Sequence, residues 1–261
     1  MARANRYMVP GQIYHVTHRC HNRSFLFRFR KDRDAYRSML RDRVSRFPVS
    51  VLGYCLTSNH THLLLKVNGL AHRVLASLMQ ALEGDFAQYY NLRKKRKGAF
   101  WSDRYHAVMI DRGDYLWRCL CYIDLNMVRA GVVESPAEWA WCGYQEMAGL
   151  RKRYRIVDQT ALSAALAPGQ SWTRILEHYK ETIEAAITAK NLSRESCWTE
   201  SLAVGGPTFI GKIKSRIPNR IQVETACENG VWVVREPSPA YELFSASKKS
   251  SKSRYSVVEH V

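Results

Sequence analysis

The chain has 261 residues, of which 46% are hydrophobic, so it can bury a core and is not a wholly disordered chain. Its 40 Lys and Arg against 23 Asp and Glu give a net charge of +17, and an excess of this size favours nucleic acid as a partner. The sequence has no apolar run near the roughly 20 residues of a membrane span, and its first residues lack the apolar region of a secretion signal. With an odd number of cysteines, seven, and no CxxC pair, we expect an intracellular, reducing location.

The hydrophobic pattern predicts an α+β domain in the first part of the chain. In chain order, the predicted elements are a strand over 13–17, a helix over 34–47, strands over 49–56 and 60–67, a long helix from Val74 towards Gly98, a strand over 106–110 and a helix from Tyr115 to about Ala130. The order β-α-β-β-α-β-α is that of a ferredoxin-like antiparallel sheet with helices packed on one face. Many unrelated functions share this fold, so the function has to be argued from a site.

The pattern changes after about residue 150. An amphipathic helix is predicted over 171–190 and a shorter helix over 209–217, and the segment 221–234 is compatible with strands. Residues near the C-terminus are polar, basic and rich in serine, which is typical of a disordered tail. We therefore predict a first domain over residues 1–150, a mainly helical C-terminal extension of unknown role over 151–244 and a basic tail over 245–261.

Two histidines stand one residue apart in the predicted strand 60–67. Because strand side chains alternate between the two faces of a sheet, His60 and His62 project from the same face. Two imidazoles that converge from one strand can hold a divalent metal ion. The alternative is a pair of exposed histidines near a hairpin turn. Another pair, His15 and His18, falls on opposite faces of its strand, so we predict no second metal site there.

The last predicted helix of the first domain carries a second set of reactive groups. Tyr122 and Asn126 are four residues apart, so they lie on one face of a helix. A phenol can act as a covalent nucleophile, and an amide oxygen is a ligand for Mg²⁺ or Mn²⁺. The alternative is a half-buried core tyrosine beside an ordinary polar residue. Tyr105 and Tyr115 are rival nucleophiles.

Basic residues alternate with aromatic ones after the long helix. Cations follow the phosphates of a nucleic acid while rings stack on its bases, so we predict that this segment binds nucleic acid, with Arg93, Lys94, Lys95, Arg96, Lys97, Trp101 and Arg104 as the binding residues. The alternative is a solvated helix end beside core aromatics. A second basic cluster comprises Arg19, Arg23, Arg28, Arg30 and Arg33.

These segments together resemble a known family over roughly residues 6–147. The motifs PGQIYHVTHRCHNRSFLF, SNHTHLLL, FWSDRYHAVMID, CYIDLNMVRAG and SPAEWAWCGY are similar, in order and spacing, to those of the HUH single-tyrosine transposases, in particular the REP-associated tyrosine transposases and their insertion-sequence relatives. Two positions depart from the family pattern. Thr61 stands where the family has a hydrophobic residue, and Met127 stands where many relatives have proline, which would let the helix run on past Asn126.

The resemblance implies a metal-dependent transposase that nicks and rejoins single-stranded or hairpin DNA by transesterification through a 5′-phosphotyrosine. It assigns His60, His62 and Asn126 as ligands of Mg²⁺ or Mn²⁺, and Tyr122 as the catalytic nucleophile. It implies a cytoplasmic, nucleoid-associated protein of a prokaryote with no membrane partner, and it leaves open whether the protein is a monomer or a homodimer. The alternatives are a non-catalytic DNA-binding protein derived from a transposase and a metal-dependent hydrolase, which would not need Tyr122.

Overall fold

The first four strands of the chain are antiparallel neighbours in one sheet, in the order β2-β3-β1-β4. The strands are β1 (Ile13–Arg19), β2 (Val49–Leu56), β3 (His60–Val67) and β4 (His106–Ile110). The order is that of the ferredoxin-like fold, so the predicted fold class is confirmed. The computed structural model describes residues 8–69, 73–190, 192–218, 221–228 and 230–237. The tail predicted over 245–261 lies outside these residues.

Two long helices cover one face of this sheet, as the sequence predicts. Helix α1 (Arg30–Val44) and helix α2 (Val74–Arg93) contact each other above an aromatic core, which contains Phe27, Tyr36, Phe86 and Phe100. Polar groups tie the sheet to both helices. Arg37 Nε of α1 donates to Tyr54 Oη of β2 at 2.8 Å, and His18 Nδ1 of β1 lies 3.4 Å from Glu83 Oε2 of α2.

A third helix, α3 (Asp114–Asp124), covers the opposite face, so the sheet lies between two helical layers, and the prediction that the helices pack on one face is wrong for α3. A Cβ atom on Gly53 of β2 would lie 2.6 Å from Leu120 Cδ1 of α3 and 3.8 Å from Leu64 Cβ of β3. The glycine therefore allows the close approach of α3. Leu64 shares its strand face with His60 and His62 because strand side chains alternate, so α3 lies on the face from which these two histidines project.

The helix predicted over Tyr115 to Ala130 is divided in the structure. Helix α3 ends at Asp124, and a short helix α4 (Asn126–Arg129) follows after Leu125, whose ψ is 1°. An α-helical ψ is about −42°, so the regular helix is interrupted just before Asn126. The prediction of one continuous helix is wrong at this point. Gly131 has φ 66° and ends α4 as the predicted C′ glycine.

The C-terminal extension is mainly helical, as predicted, and it also enlarges the sheet. The short helix α5 (Tyr144–Met147) precedes it, and the helices of the extension are α6 (Gln159–Leu166), α7 (Trp172–Thr188), α8 (Cys197–Glu200) and α9 (Pro207–Lys214). Its strands are β5 (Ala203–Gly205), β6 (Glu224–Glu228) and β7 (Val231–Arg235). Strand β5 pairs in parallel with β4, and the sheet runs on through β7 to β6. None of the described helices is long and apolar enough to traverse a lipid bilayer.

Candidate active site

The turn between β2 and β3 fixes the first predicted metal ligand. Thr57 Oγ1 accepts the backbone N–H groups of Asn59 and His60, which holds the start of β3. Asn59 Nδ2 donates to the carbonyl of Arg23, so its amide oxygen faces His60 Nδ1, 2.6 Å away. The Nδ1–H group of His60 therefore donates to this oxygen, and the Nε2 lone pair of His60 is left for a ligand.

The second predicted ligand, His62, is buried and lies beside His60, with 4.7 Å between the ring centroids. Its Nδ1 is 2.8 Å from Nε2 of His15 in the neighbouring strand β1. The far nitrogen of His15, Nδ1, is 2.7 Å from the backbone carbonyl oxygen of Trp198 in α8. A chain of two hydrogen bonds thus connects His62 to the C-terminal extension.

The surroundings of these three imidazoles favour the neutral form over the charged form. Burial lowers the pKa of His15 to about 4, and burial with the nearby Arg19 guanidinium lowers the pKa of His60 to about 3. Burial and the neighbouring His60 hold the pKa of His62 well below its usual value. Neutral imidazole is the form that binds a metal ion.

Asn126 directly follows the break at Leu125 and lies against His62. Asn126 Nδ2 lies 2.9 Å from His62 Nε2. Among the described residues, no three His, Cys, Asp or Glu side chains are grouped so that they could hold a metal ion. The candidate donor set is therefore two imidazoles and one amide, and such a set leaves coordination positions open for a substrate.

Tyr122 of α3 lies next to this donor set. Its ring centroid is 6.1 Å from those of both His15 and His62, and its side chain is 5% exposed. Burial raises the pKa of Tyr122, while the guanidinium groups of Arg129 and Arg194 act in the opposite direction. Arg129 Cζ lies 4.4 Å from the centre of the phenol ring, and Arg129 Nε donates to the carbonyl of Leu192 in the extension.

The two rival tyrosines lie elsewhere. The Tyr105 ring is 6.4 Å from His18, which projects towards α1 and α2 on the other face of the sheet. Tyr115 lies against Gly206, where an added Cβ atom would be 3.5 Å from Tyr115 Oη. Tyr122 is the phenol that stands beside His62 and Asn126, and this geometry supports it as the nucleophile.

The predicted DNA-binding segment separates into structural and exposed residues. Arg93 forms an ion pair with the buried Asp32. Arg96 donates to Asn91 Oδ1 and to the carbonyl of Ala99. Trp101 is partly buried, stacks on His18 at 4.2 Å and donates to the Glu83 carbonyl. These three side chains hold the fold, whereas the exposed cations are Lys94, Lys95, Lys97 and Arg104.

Sequence reasoning missed two features of this region. His15 shares a face with His62 because Thr17 is paired with His62 in the sheet, but the strand register that reveals this cannot be read from the spacing of the histidines. Phe25 and Phe29 are 67% and 51% exposed between basic residues. The alternation of phenylalanine with arginine in the segment HNRSFLFRFR could have indicated these exposed rings.

A model of the family described as transposase IS200-like matches residues 8–125. No curated protein matches the chain. A solved structure described as a REP-associated tyrosine transposase bound to a REP hairpin is 17% identical, with a TM-score of 0.50 over 58% of this chain and 89% of the other. This likeness concerns the fold. A candidate transposase from Deinococcus radiodurans R1 is 19% identical over 42% of this chain and 87% of the other, and its TM-score of 0.33 is too low to support a conclusion.

The matched segment holds the paired histidines and Tyr122, and Asn126 follows directly after it. Residues 8–125 therefore match the IS200-like transposases, and this match, together with the likeness of fold, supports the HUH single-tyrosine transposase family for this part of the chain.

Proposed function

We propose that this transposase is a metal-dependent enzyme that nicks and rejoins single-stranded or hairpin DNA through a 5′-phosphotyrosine. The observation that carries the proposal is the meeting of four side chains from two segments of the chain, strand β3 and the consecutive helices α3 and α4. The Tyr122 phenol and the Asn126 amide reach His62 from the α3–α4 segment, with His60 beside it on β3.

His60, His62 and Asn126 fit Mg²⁺ or Mn²⁺. The Nδ1 atom of each histidine is engaged in a hydrogen bond, which leaves Nε2 as the metal-facing atom. The oxygen and nitrogen of the Asn126 amide are nearly isosteric, so a half-turn of the amide presents an oxygen ligand in place of the present N–H donor. When bound, the ion supplies Lewis acidity to the scissile phosphate.

The protein's own groups perform the covalent step. Tyr122 Oη attacks phosphorus, and the Oη–P bond forms as the bond from phosphorus to the 3′ oxygen breaks. The phenolic proton passes to water, and the leaving oxygen takes up a proton to become a 3′-OH. Arg129 and Arg194 stabilise the phenolate form of Tyr122. One phosphodiester bond is exchanged for another, so a 3′-OH can reverse the reaction without ATP.

The surface beside His60 suits a single strand of DNA. Phe25 and Phe29 expose their rings in a segment that also exposes Arg23 and Arg28, and Lys94 Nζ lies 4.2 Å from the centre of the Phe29 ring. Exposed rings stack on bases while cations hold phosphates. The Asn59 side chain links this segment to the start of β3 by its hydrogen bond to the Arg23 carbonyl. The structurally similar transposase is described as bound to a REP hairpin, and this supports hairpin DNA as the substrate.

The test is the formation of a covalent adduct that survives SDS, with labelled single-stranded and hairpin DNA taken from around the gene and with Mn²⁺ or Mg²⁺. We expect a metal-dependent adduct in the wild-type protein and in Tyr115→Phe, and none in Tyr122→Phe or His62→Ala. An adduct that persists in Tyr122→Phe would assign the nucleophile elsewhere. Tight DNA binding without any adduct would favour the non-catalytic DNA-binding alternative.

A further inference from the structure

Two hydrogen bonds connect His62 to the backbone of α8, through the side chain of His15. His15 is fully buried, and the planes of its ring and of the His62 ring are 14° from parallel. Its two nitrogens lie 2.7 Å from the Trp198 carbonyl oxygen and 2.8 Å from His62 Nδ1. His15 therefore bridges the candidate metal ligand and the C-terminal extension.

The chemistry of the Trp198 carbonyl sets the direction of both bonds. A carbonyl oxygen can only accept, so Nδ1 of His15 carries the hydrogen. In a neutral imidazole the other nitrogen, Nε2, is then an acceptor, and a fully buried ring favours the neutral form. His62 must donate its Nδ1–H to His15, and the lone pair of His62 is left on Nε2, where Asn126 meets it.

The Trp198 carbonyl, which accepts the first of these two hydrogen bonds, is itself held in place. The Trp198 side chain is completely buried, and Arg118 Cζ lies 5.9 Å from its ring. Four residues later, the Leu202 carbonyl accepts the backbone N–H of Met109 in β4 at 2.9 Å. The position of the Trp198 oxygen is thus fixed relative to the sheet that carries both histidines.

We propose that His15, with the Trp198 carbonyl, is a positioning residue of the active centre that holds His62 as the Nδ1–H tautomer with Nε2 facing the metal. The inference rests on the proposed function for the identity of the metal site, and it adds a contribution from the C-terminal extension to that site. A hydrogen-bonded partner on the far nitrogen of a ligand histidine fixes the ring orientation, and its loss weakens metal binding 10- to 100-fold as an order of magnitude.

The first readout needs no metal. Nitrogen-15 NMR of the imidazoles distinguishes the two neutral tautomers, and the spectrum of His62→Ala identifies the signals of His62. We expect the Nδ1–H tautomer in the wild-type protein and in His15→Gln, whose amide can again accept at one atom and donate at the other. His15→Phe keeps a flat ring without polar atoms, and there we expect a mixture of tautomers. A wild-type His62 that carries its hydrogen on Nε2 would overturn the inference, and so would an unchanged tautomer in His15→Phe.

The second readout is Mn²⁺ binding, measured by titration calorimetry or by the EPR signal of the free ion. We expect His15→Phe to bind Mn²⁺ about 10- to 100-fold more weakly than the wild-type protein, with partial recovery in His15→Gln. His18→Phe is the matched control, because His18 is also buried in β1 and bonded to a backbone carbonyl but lies on the other face. Equal Mn²⁺ affinity in His15→Phe and His18→Phe would contradict the inference. If the wild-type protein bound no Mn²⁺, the proposed metal dependence would fail, and the tautomer of His62 would still decide the role of His15.

Discussion

Arg129 lies across the ring of Tyr122 while its Nε donates to the carbonyl of Leu192. The cation favours the phenolate, and burial opposes it. At the scale of single residues, the burial of the proposed nucleophile is therefore opposed by nearby positive charge. Because these two effects act on the pKa of Tyr122 in opposite directions, removing one of them should change the pH dependence of adduct formation.

Replacing Arg129 with glutamine removes this charge and keeps a polar side chain of similar reach. We expect the pKa of Tyr122 to rise further, so less phenolate is present at a given pH and the rate profile of adduct formation moves to higher pH. The measurement is the initial rate of adduct formation from pH 6 to pH 10. Arg112→Gln, at an exposed position just before α3, should leave the profile in place. An unchanged profile in Arg129→Gln would show that Arg129 does not tune the nucleophile.

At the scale of elements, the sequence predicted the first domain well because each strand and helix there has a clear hydrophobic period. Strand alternation predicted that His60 and His62 share a face, and helical spacing predicted the same of Tyr122 and Asn126, whereas the roles of these residues were implied by the family resemblance. The break at Leu125 could not be predicted, because the hydrophobic period continues through it and Met127 carries no breaking signal. The break depends on a ψ value that many residues adopt. The strand register that pairs His15 with the His62 region was likewise not visible in the sequence.

Helix α6 offers a test of stability at this scale. Asp158 caps it by accepting the N–H of Ala161 at 2.9 Å, and its other oxygen accepts the Ser50 hydroxyl of β2 at 2.7 Å. Partial burial alone would raise the pKa of Asp158, but these hydrogen bonds hold the pKa below its usual value. The carboxylate therefore stabilises the fold above the unfolded pKa of about 3.9, and this contribution is lost as the pH falls through the lower pKa of the folded state.

We expect Asp158→Ala to lower the free energy of unfolding by about 1 kcal/mol at pH 7, measured by urea denaturation. The difference from the wild-type protein should shrink at the lowest pH at which both still fold. Glu184→Ala, on the exposed side of α7, serves as the control and should change stability little at either pH. If Asp158→Ala lowered the free energy of unfolding equally at acidic pH and at pH 7, the cap would not depend on the charge of Asp158.

At the scale of the whole molecule, the net charge of +17 comes from two kinds of cation. Some form hydrogen bonds or ion pairs within the protein, and others are exposed and can bind phosphates. The basic stretch after α2 shows the division. Arg93 and Arg96 are engaged by Asp32, Asn91 and Ala99, while Lys95 and Lys97 are exposed. The sequence shows the total charge. Which cations are paired within the fold and which are exposed becomes clear only when the partners of each side chain are known.

The double variant Lys95→Ala/Lys97→Ala should therefore keep the thermal stability of the wild-type protein and bind single-stranded DNA more weakly. If each lysine neutralises one phosphate, the slope of log affinity against log salt should fall by about 1.4, at roughly 0.7 per contact with a single strand. Arg96→Ala should instead lower the melting temperature. An unchanged salt slope in the double variant would place the DNA elsewhere on the surface.

The bond from His15 to Trp198 joins residues that are 183 positions apart in the chain. A ribosome that adds roughly 5–20 residues per second needs about ten to forty seconds to cover that distance. During this interval the nascent chain carries the paired histidines, and later Tyr122, without the contact that orients His62. A prematurely ended chain stays in that state permanently. On the proposed function, a newly made molecule therefore needs the segment around Trp198 before its metal site is complete and it can cut DNA.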